Sequence, residues 1–227
     1  MATRPIFIPS NSRSTLVQEV QVNFEWHSGF SVVQKQKNIR DLHFQASILG
    51  YAPILEISTK SENILGRSLS AFNLKIEVDG TLSNVENFYQ SSKVFENGGP
   101  FVDLLSSSPI EAKRDERLRS SGRLTNFYLF GKTWELIPRT AFYDWLYLTA
   151  LIQIPKESRK LLDYNGFSDI EFNPNKSLNC QARSAAMYVS LLKRNVLEEA
   201  LINSEFFLSL YSEAPKDPIT QMSFFQN

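Results

Sequence analysis

The sequence predicts an α+β fold, predominantly α-helical, with a small β-layer at its N-terminal end. Three observations carry this reading. The first fifty residues contain runs that alternate apolar and polar side chains; from residue 83 apolar positions recur at helical spacing; and two Ser-x-x-Glu signals open helices in that second region. A sheet face and helix faces buried against one another form one packed core.

The elements follow in order. Residues 4–9 and 16–24 alternate, with Val20, Val22 and Phe24 on one side, and read as strands. Residues 27–29 form a turn, and 30–33 are expected to pair back. Ile39, Leu42, Phe44 and Ile48 give residues 34–49 helical spacing, stopped by Gly50. A strand follows at 53–58, then a hairpin from 72 to 82 around Asp79-Gly80. Ser83 and Glu86 have capping-box spacing, opening a helix to about residue 96 that Asn97-Gly98-Gly99-Pro100 breaks. Ser108, with Pro109 first in the helix and Glu111 third, opens another to Gly122. Residues 138–153 (Phe142, Trp145, Leu146, Leu148, Leu151, Ile152) read as the central buried helix. A short helix at 155–164 and a long one at about 180–203, capped by Asn179, complete the core, and the tail from residue 212 reads as loose.

Composition bounds the function. The 227 residues carry 24 Lys plus Arg against 24 Asp plus Glu, 42% apolar and 21% charged side chains, an ordinary globular balance. A chain of this length buries roughly 70% of its unfolded surface and needs no staples. Zero net charge argues against a grip on many phosphates but not against an enzyme that takes in one nucleotide. One cysteine, Cys180, excludes a disulfide framework and a Cys-based zinc site. His27 and His43 are too few for a multi-His centre, so neither metal nor cofactor is expected. No run approaches the ~18 apolar residues of a membrane helix, and the N-terminus lacks a signal core, so the expectation is a cytoplasmic protein with no membrane partner.

Phosphate-cradling glycine loops, HExxH and the nucleophile elbow are missing from the sequence. Chemistry therefore falls to carboxylates, lysines and aromatics. On a helix from Ser83, Glu86, Gln90 and Lys93 share one stripe beside Tyr89, which reads either as a capped, solvated face or as a carboxylate and an amine presented together. Trp134 reads either as a stacking platform or as a core aromatic. The run 111–119 sets Lys113, Arg114, Arg117 and Arg119 against three acids and reads first as a solvated face, with Arg114 or Arg119 as candidate phosphate contacts.

These residues also carry a resemblance. Gly66-Arg67-Ser68-Leu69-Ser70-Ala71-Phe72, Val78-Asp79-Gly80, and Val85 to Lys93 with Glu86, Gln90 and Lys93 look like the NADAR family (the YbiA-like proteins), with its G-x-LSNF run, DG turn and S-x-E-H-x-x-Q-A-x-K helix. Ser108 to Arg114 is similar to the family's SP-x-EAKR element, Trp134 to its Trp after an Arg-rich loop, Asp169 to Phe172 to its D-x-x-W, and Asn179 to Ala182 to its N-x-LG. Two departures, Ala71 for Asn and Phe172 for Trp, together with the N-terminal fifty residues and the segment 95–99, resemble the branch associated with DarT-type toxins.

The resemblance implies a YbiA-like helical core as a catalytic domain over residues 53–211, with 1–52 a β/α extension packed on it and 212–227 a tail. It implies an ADP-ribosylglycohydrolase that removes ADP-ribose from guanine in DNA, expected to be single-stranded, and acts as antitoxin to a cognate DarT-type toxin. A YbiA-like N-glycosidase on a riboflavin-pathway intermediate, and a non-enzymatic antitoxin that binds its toxin, stand as alternatives. Breaking such a C–N bond builds positive charge at the anomeric carbon, which a carboxylate stabilises while an acid protonates the leaving base. Glu86 and Asp169 are the candidate pair. An amine that stays unprotonated attacks the opened sugar to form a Schiff base; the resemblance assigns this to Lys93, with Lys60 the runner-up. Lys60, Ser70, Phe72, Tyr89, Gln90, Trp134, Asn179 and Arg183 are the expected substrate contacts, with Asn179 and Arg183 directed at the diphosphate.

Overall fold

The computed structural model describes residues 1–12, 15–175 and 177–212. Strands β1 (Ala2–Pro9) and β2 (Val17–Phe24) form an antiparallel pair, followed by helix α1 (Val32–Ile48) and strand β3 (Ile54–Glu56). Then come α2 (Ile64–Ser68), the hairpin β4 (Lys75–Val78) and β5 (Thr81–Asn84), α3 (Val85–Ser91) and β6 (Lys93–Phe95). Short helices α4 (Pro109–Arg114) and α5 (Arg117–Ser120) lead into β7 (Leu124–Leu129) and β8 (Lys132–Trp134). The remainder is α6 (Ala141–Ile152), α7 (Pro155–Ser158), β9 (Gly166–Ser168), α8 (Gln181–Lys193), α9 (Leu197–Ile202) and α10 (Ser204–Ser212). Helix exceeds strand, 44% to 21%, so the α+β, helix-rich expectation holds.

The main sheet has the order β2-β1-β9-β3, with β9 antiparallel to β1 and parallel to β3. Alternation along β1 sends neighbouring side chains to opposite faces. Ile6 joins Val22, Phe24, Ile39, Leu42 and Ala46 under α1, whereas Phe7 joins the larger core with Leu55, Phe88, Phe142, Leu146 and Met187. The sheet is therefore a middle layer between α1 and the α6–α8 core. Its last strand delivers Asp169 to the turn that faces the N-terminus of α8.

Several boundaries differ from the sequence reading. Residues 30–33 do not pair back, because the Ser31 side chain accepts from Gln34 N and caps α1. Ser83 belongs to β5 and donates to Leu105 O, so Asn84 takes the N-cap position of α3 without a side-chain cap bond. That helix ends at Ser91, not near 96: both Ser91 and Ser92 hydroxyls turn back to Phe88 O, and Lys93 already pairs with Phe127. The Ser108–Glu111 capping box is present as expected, but its helix breaks at Asp115. The hairpin β7–β8 falls in a region read as helical; its two turn residues, Phe130 and Gly131, have φ of 42° and 84°, the pairing a type I′ turn requires. Cys180, not Asn179, is the N-cap of α8. The long helix at 180–203 is interrupted where Asn195 has φ 55°, giving α8 and α9. The expected tail lies outside the described residues apart from Ser212. Among the described residues, no helix is long and apolar enough to cross a membrane.

Candidate active site around Glu86 and Lys93

Helix α3 lifts Glu86 out of the hairpin into the core, where the residue is only 5% exposed. Its backbone N–H donates to Ala71 O (3.0 Å), which fastens α3 to the 70–72 loop. The carboxylate accepts from Gln90 Nε2 at 2.8 Å, one helical turn on, and Lys113 Nζ from α4 stands 3.8 Å from Glu86 Oε1. Lys113 also sits over the Phe72 ring, 4.9 Å from its centre.

Lys93 leaves the helix yet stays beside it. Its Nζ lies over the Tyr89 ring at 4.7 Å, and among the described residues no carboxylate reaches ion-pair distance. Burial lowers its pKa to about 8; the Glu86 carboxylate opposes that fall and the Lys113 ammonium adds to it. Roughly a tenth of such amines are neutral at pH 7, against fewer than about one in a thousand for an ordinary lysine.

Tyr89 is held from three sides. Its ring packs on Phe127 (5.4 Å) and edge-on to Tyr143 (5.2 Å), and its hydroxyl accepts from Asn179 Nδ2 at 2.6 Å. Burial and the Glu86 charge push the phenol pKa up, so the hydroxyl keeps its proton. Gln181 ties the remaining parts together, accepting from Ala71 N (2.7 Å) and donating to Asp169 Oδ2 (3.0 Å). Asp169 Oδ1 accepts from Glu171 N and Phe172 N. Burial first, and the nearby Glu56 carboxylate second, raise the Asp169 pKa well above the carboxylate range.

Glu86, Tyr89, Gln90, Lys93, Asp169 and Asn179 thus form one group with the 70–72 loop. Three buried polar atoms in it, Ser70 Oγ, Gln90 Oε1 and Asn179 Oδ1, have no protein partner. Such atoms are uncommon in folded proteins, and three of the seven among the described residues belong to this group. Phe72 belongs to the group through Lys113. Lys60 sits in the turn after β3, its N–H on Ser58 Oγ, next to Thr59, which reaches Glu171 at 3.5 Å. Trp134 is elsewhere: it is 4% exposed and packed among Phe142, Trp145 and Phe207 as a core aromatic. Arg183 is committed to Asp144 at 2.7 Å.

The sequence reading missed Lys113 as a site residue and Glu56 altogether. Lys113 was hidden in a charged run that reads as a solvated face. Glu56 carried a signal, a carboxylate inside Ile54-Leu55-Glu56-Ile57. Two surface clefts lie at the β4–β5 hairpin and beneath α1, and Glu86 lines neither. Glu25, His27 and Asp41 bring three potential ligand atoms within 4.8 Å of one another on the N-terminal layer, with His27 Nε2 already bonded to Asp41.

A buried carboxylate, an amine with a lowered pKa and three buried polar atoms without protein partners thus occur together in one group with Tyr89. Comparison with known families shows that the chain belongs to the DarT1-associated NADAR antitoxins, whose family model matches residues 2–221. It is thus an antitoxin-family protein linked to DarT1 toxins, and the match takes in the N-terminal strands as well as the helical core. A search of curated proteins gives no match.

Proposed function

We propose that this protein is an enzymatic antitoxin that removes ADP-ribose from guanine bases of DNA modified by a DarT1-type toxin, acting in the cytoplasm. The observation that carries the proposal is the placement of Lys93 over Tyr89, without an ion pair but within the field of the Glu86 carboxylate, where burial leaves part of its amine neutral at physiological pH. In this reading the Lys93 amine adds to the anomeric carbon of the opened ribose, the C–N bond to guanine breaks, and the base leaves with a proton from Asp169. Water then hydrolyses the lysine Schiff base, releasing ADP-ribose and the free amine. Asp169 suits the acid because burial and Glu56 favour its protonated form. Glu86 carries the negative charge that stabilises developing positive charge and orients the ribose hydroxyls. Ser70, Gln90 and Asn179 offer hydrogen-bonding atoms for the sugar and phosphates, and Lys113 offers the nearest cation for a phosphate. Arg183 and Trp134 enter this reading only as supports of the fold.

The test is a single-stranded oligonucleotide carrying ADP-ribose on guanine, incubated with wild type and Glu86→Gln and followed by gel mobility. Wild type is expected to restore the unmodified band and Glu86→Gln to leave the shifted one. An unchanged band with wild type would contradict the proposal. In that case a stable complex with the toxin, unaffected by Glu86→Gln, would establish inhibition by binding instead.

A further inference from the structure

The two residues that flank Asp169 in the chain are both held by one side chain. Glu56 closes β3 and is buried. Its Oε2 accepts from Ser168 Oγ (2.5 Å) and its Oε1 from Ile170 N (2.9 Å), one bond from each side of Asp169. The main chain starts this grip: Glu56 is in register with Ser168 in the parallel pair β3–β9, and Ile57 N donates to Ser168 O at 2.8 Å. Strand β9 ends at Ser168, and beyond it the Glu56 carboxylate takes over by holding Ile170 N. His43, from α1, places its Nε2 2.8 Å from Ser168 Oγ. A serine has one proton to give, so with that proton on Glu56 the His43 N–H is the donor in this contact.

The other bonds of Asp169 come from elsewhere. Glu171 N and Phe172 N bind its Oδ1 from within the same turn, and Gln181 Nε2 binds its Oδ2 from α8. Glu56 ties that turn to β3. Its main chain meets a further part of the site, because a Cβ on Gly66 would lie 2.0 Å from Glu56 O and 2.6 Å from Ser61 Oγ. Only glycine lets α2 pack so closely there. Helix α2 leads into the 70–72 loop, where Ala71 binds Glu86 N and Gln181.

We infer that Glu56 is the positioning residue of Asp169: its carboxylate clamps residues 168 and 170 and so fixes the carboxyl between them against Gln181, while His43 holds the Ser168 hydroxyl in place. The inference rests on the reading of Asp169 as the acid that protonates the departing base. Glu56, Ser168 and His43 touch no reacting atom. Through His43 the N-terminal layer takes part in holding the site.

The clamp needs two hydrogen bonds and not a charge. In Glu56→Gln the amide oxygen can accept from Ile170 N and the amide nitrogen can donate to Ser168 Oγ, whose proton then turns to His43 Nε2 in its other tautomer. Leucine is of similar volume and makes neither bond. Both substitutions remove the Glu56 charge, so its loss cancels in a comparison of the two.

The experiment measures kcat and KM on the ADP-ribosylated oligonucleotide for wild type, Glu56→Gln, Glu56→Leu and Ser168→Ala. Glu56→Leu is expected to fall about 10²-fold below Glu56→Gln in kcat, the scale of a misplaced catalytic group, with KM within about threefold. Ser168→Ala keeps the Ile170 bond and is expected to lose about fivefold in kcat. Equal kcat in Glu56→Gln and Glu56→Leu would overturn the clamp. Should Glu56→Leu fail to fold, Ser168→Ala stands in its place, and wild-type kcat there would overturn it.

Amide hydrogen exchange in the same proteins needs no turnover and separates this inference from the function on which it rests. Phe172 N–H, which donates to Asp169 O and Oδ1, should exchange at least about tenfold faster in Glu56→Leu than in Glu56→Gln. Equal rates would overturn the clamp. Faster exchange in Glu56→Leu, with a wild type that shows no turnover, would support the clamp and strike the function.

Discussion

Two buried charged clusters in this molecule have opposite characters. Around Arg183, Asp144 accepts from the Arg183 guanidinium (2.7 Å), the Ser184 hydroxyl (2.5 Å) and the Tyr211 hydroxyl (2.7 Å), and Arg183 also reaches Thr140. Both charges have matching partners, and α6, α8 and α10 are pinned to one another. Around Glu86, the carboxylate has Gln90 and a lysine at 3.8 Å, the second lysine rests on an aromatic face, and three buried polar atoms lack partners. A satisfied network holds a fold together; a partly satisfied one costs stability and is retained where it serves a ligand. In the proposed reading the difference separates structure from chemistry among residues that look equally charged in the sequence.

Substitutions sharpen this contrast. The largest expected effect is at Lys93. Lys93→Ala is expected to reduce removal of ADP-ribose on the order of 10⁴-fold or more, since it deletes the attacking amine. Its melting temperature should hold or rise, because a buried amine without an ion pair is lost. A turnover close to wild type would transfer the nucleophile to Lys60. Glu86→Gln comes next, with a loss of about 10²–10⁴-fold in kcat at nearly unchanged fold, measured by single-turnover kinetics.

Asp144→Ala should act on the other side of the comparison. It leaves Arg183 buried without its counter-charge and is expected to cost about 3–5 kcal/mol of stability in urea unfolding. The fraction that stays folded should keep its activity per molecule. A specific loss of activity in a stable Asp144→Ala protein would erase the distinction drawn here. The smallest effect is expected for Tyr89→Phe, which removes the bond to Asn179 at a cost of about 1 kcal/mol. A modest rise in KM should accompany it as Asn179 loosens.

The pH dependence has a definite sign. Lys93 must be neutral to attack, so activity is expected to climb as pH rises toward about 8. Asp169 must hold its proton, and burial with the Glu56 charge raises its pKa to about 8 as well, so activity should fall above that and the profile should be a narrow bell centred near pH 8. A profile that rises near pH 4 and then stays flat would remove both groups from the mechanism.

Much of this was legible in the sequence, for identifiable reasons. The β1–β2 alternation, the helix with Ile39 and Leu42, the Asp79-Gly80 turn and the Ser108 capping box are local signals that local structure obeys. Glu86, Tyr89 and Gln90 were visible because they share one helix. Lys93 was assigned to that stripe by a spacing that fails two residues earlier, where serine hydroxyls end the helix; the strand that replaces it still delivers the amine to Tyr89. Asn179 was read as a cap, but its amide is drawn to Tyr89, 90 positions away, which no local pattern encodes. The same holds for Arg183 with Asp144 and for Glu56 with Ser168. Partners in three dimensions decided between roles that the sequence left open.

The central claim is that Lys93 beside Glu86 attacks the sugar of ADP-ribosylated guanine. The most direct measurement mixes wild type with the ADP-ribosylated oligonucleotide in the presence of borohydride and locates any adduct by peptide mass analysis. The account expects one covalent ADP-ribose adduct on the peptide containing Lys93, abolished in Lys93→Arg. An adduct confined to another lysine, or efficient removal of ADP-ribose with no adduct trapped, would contradict it.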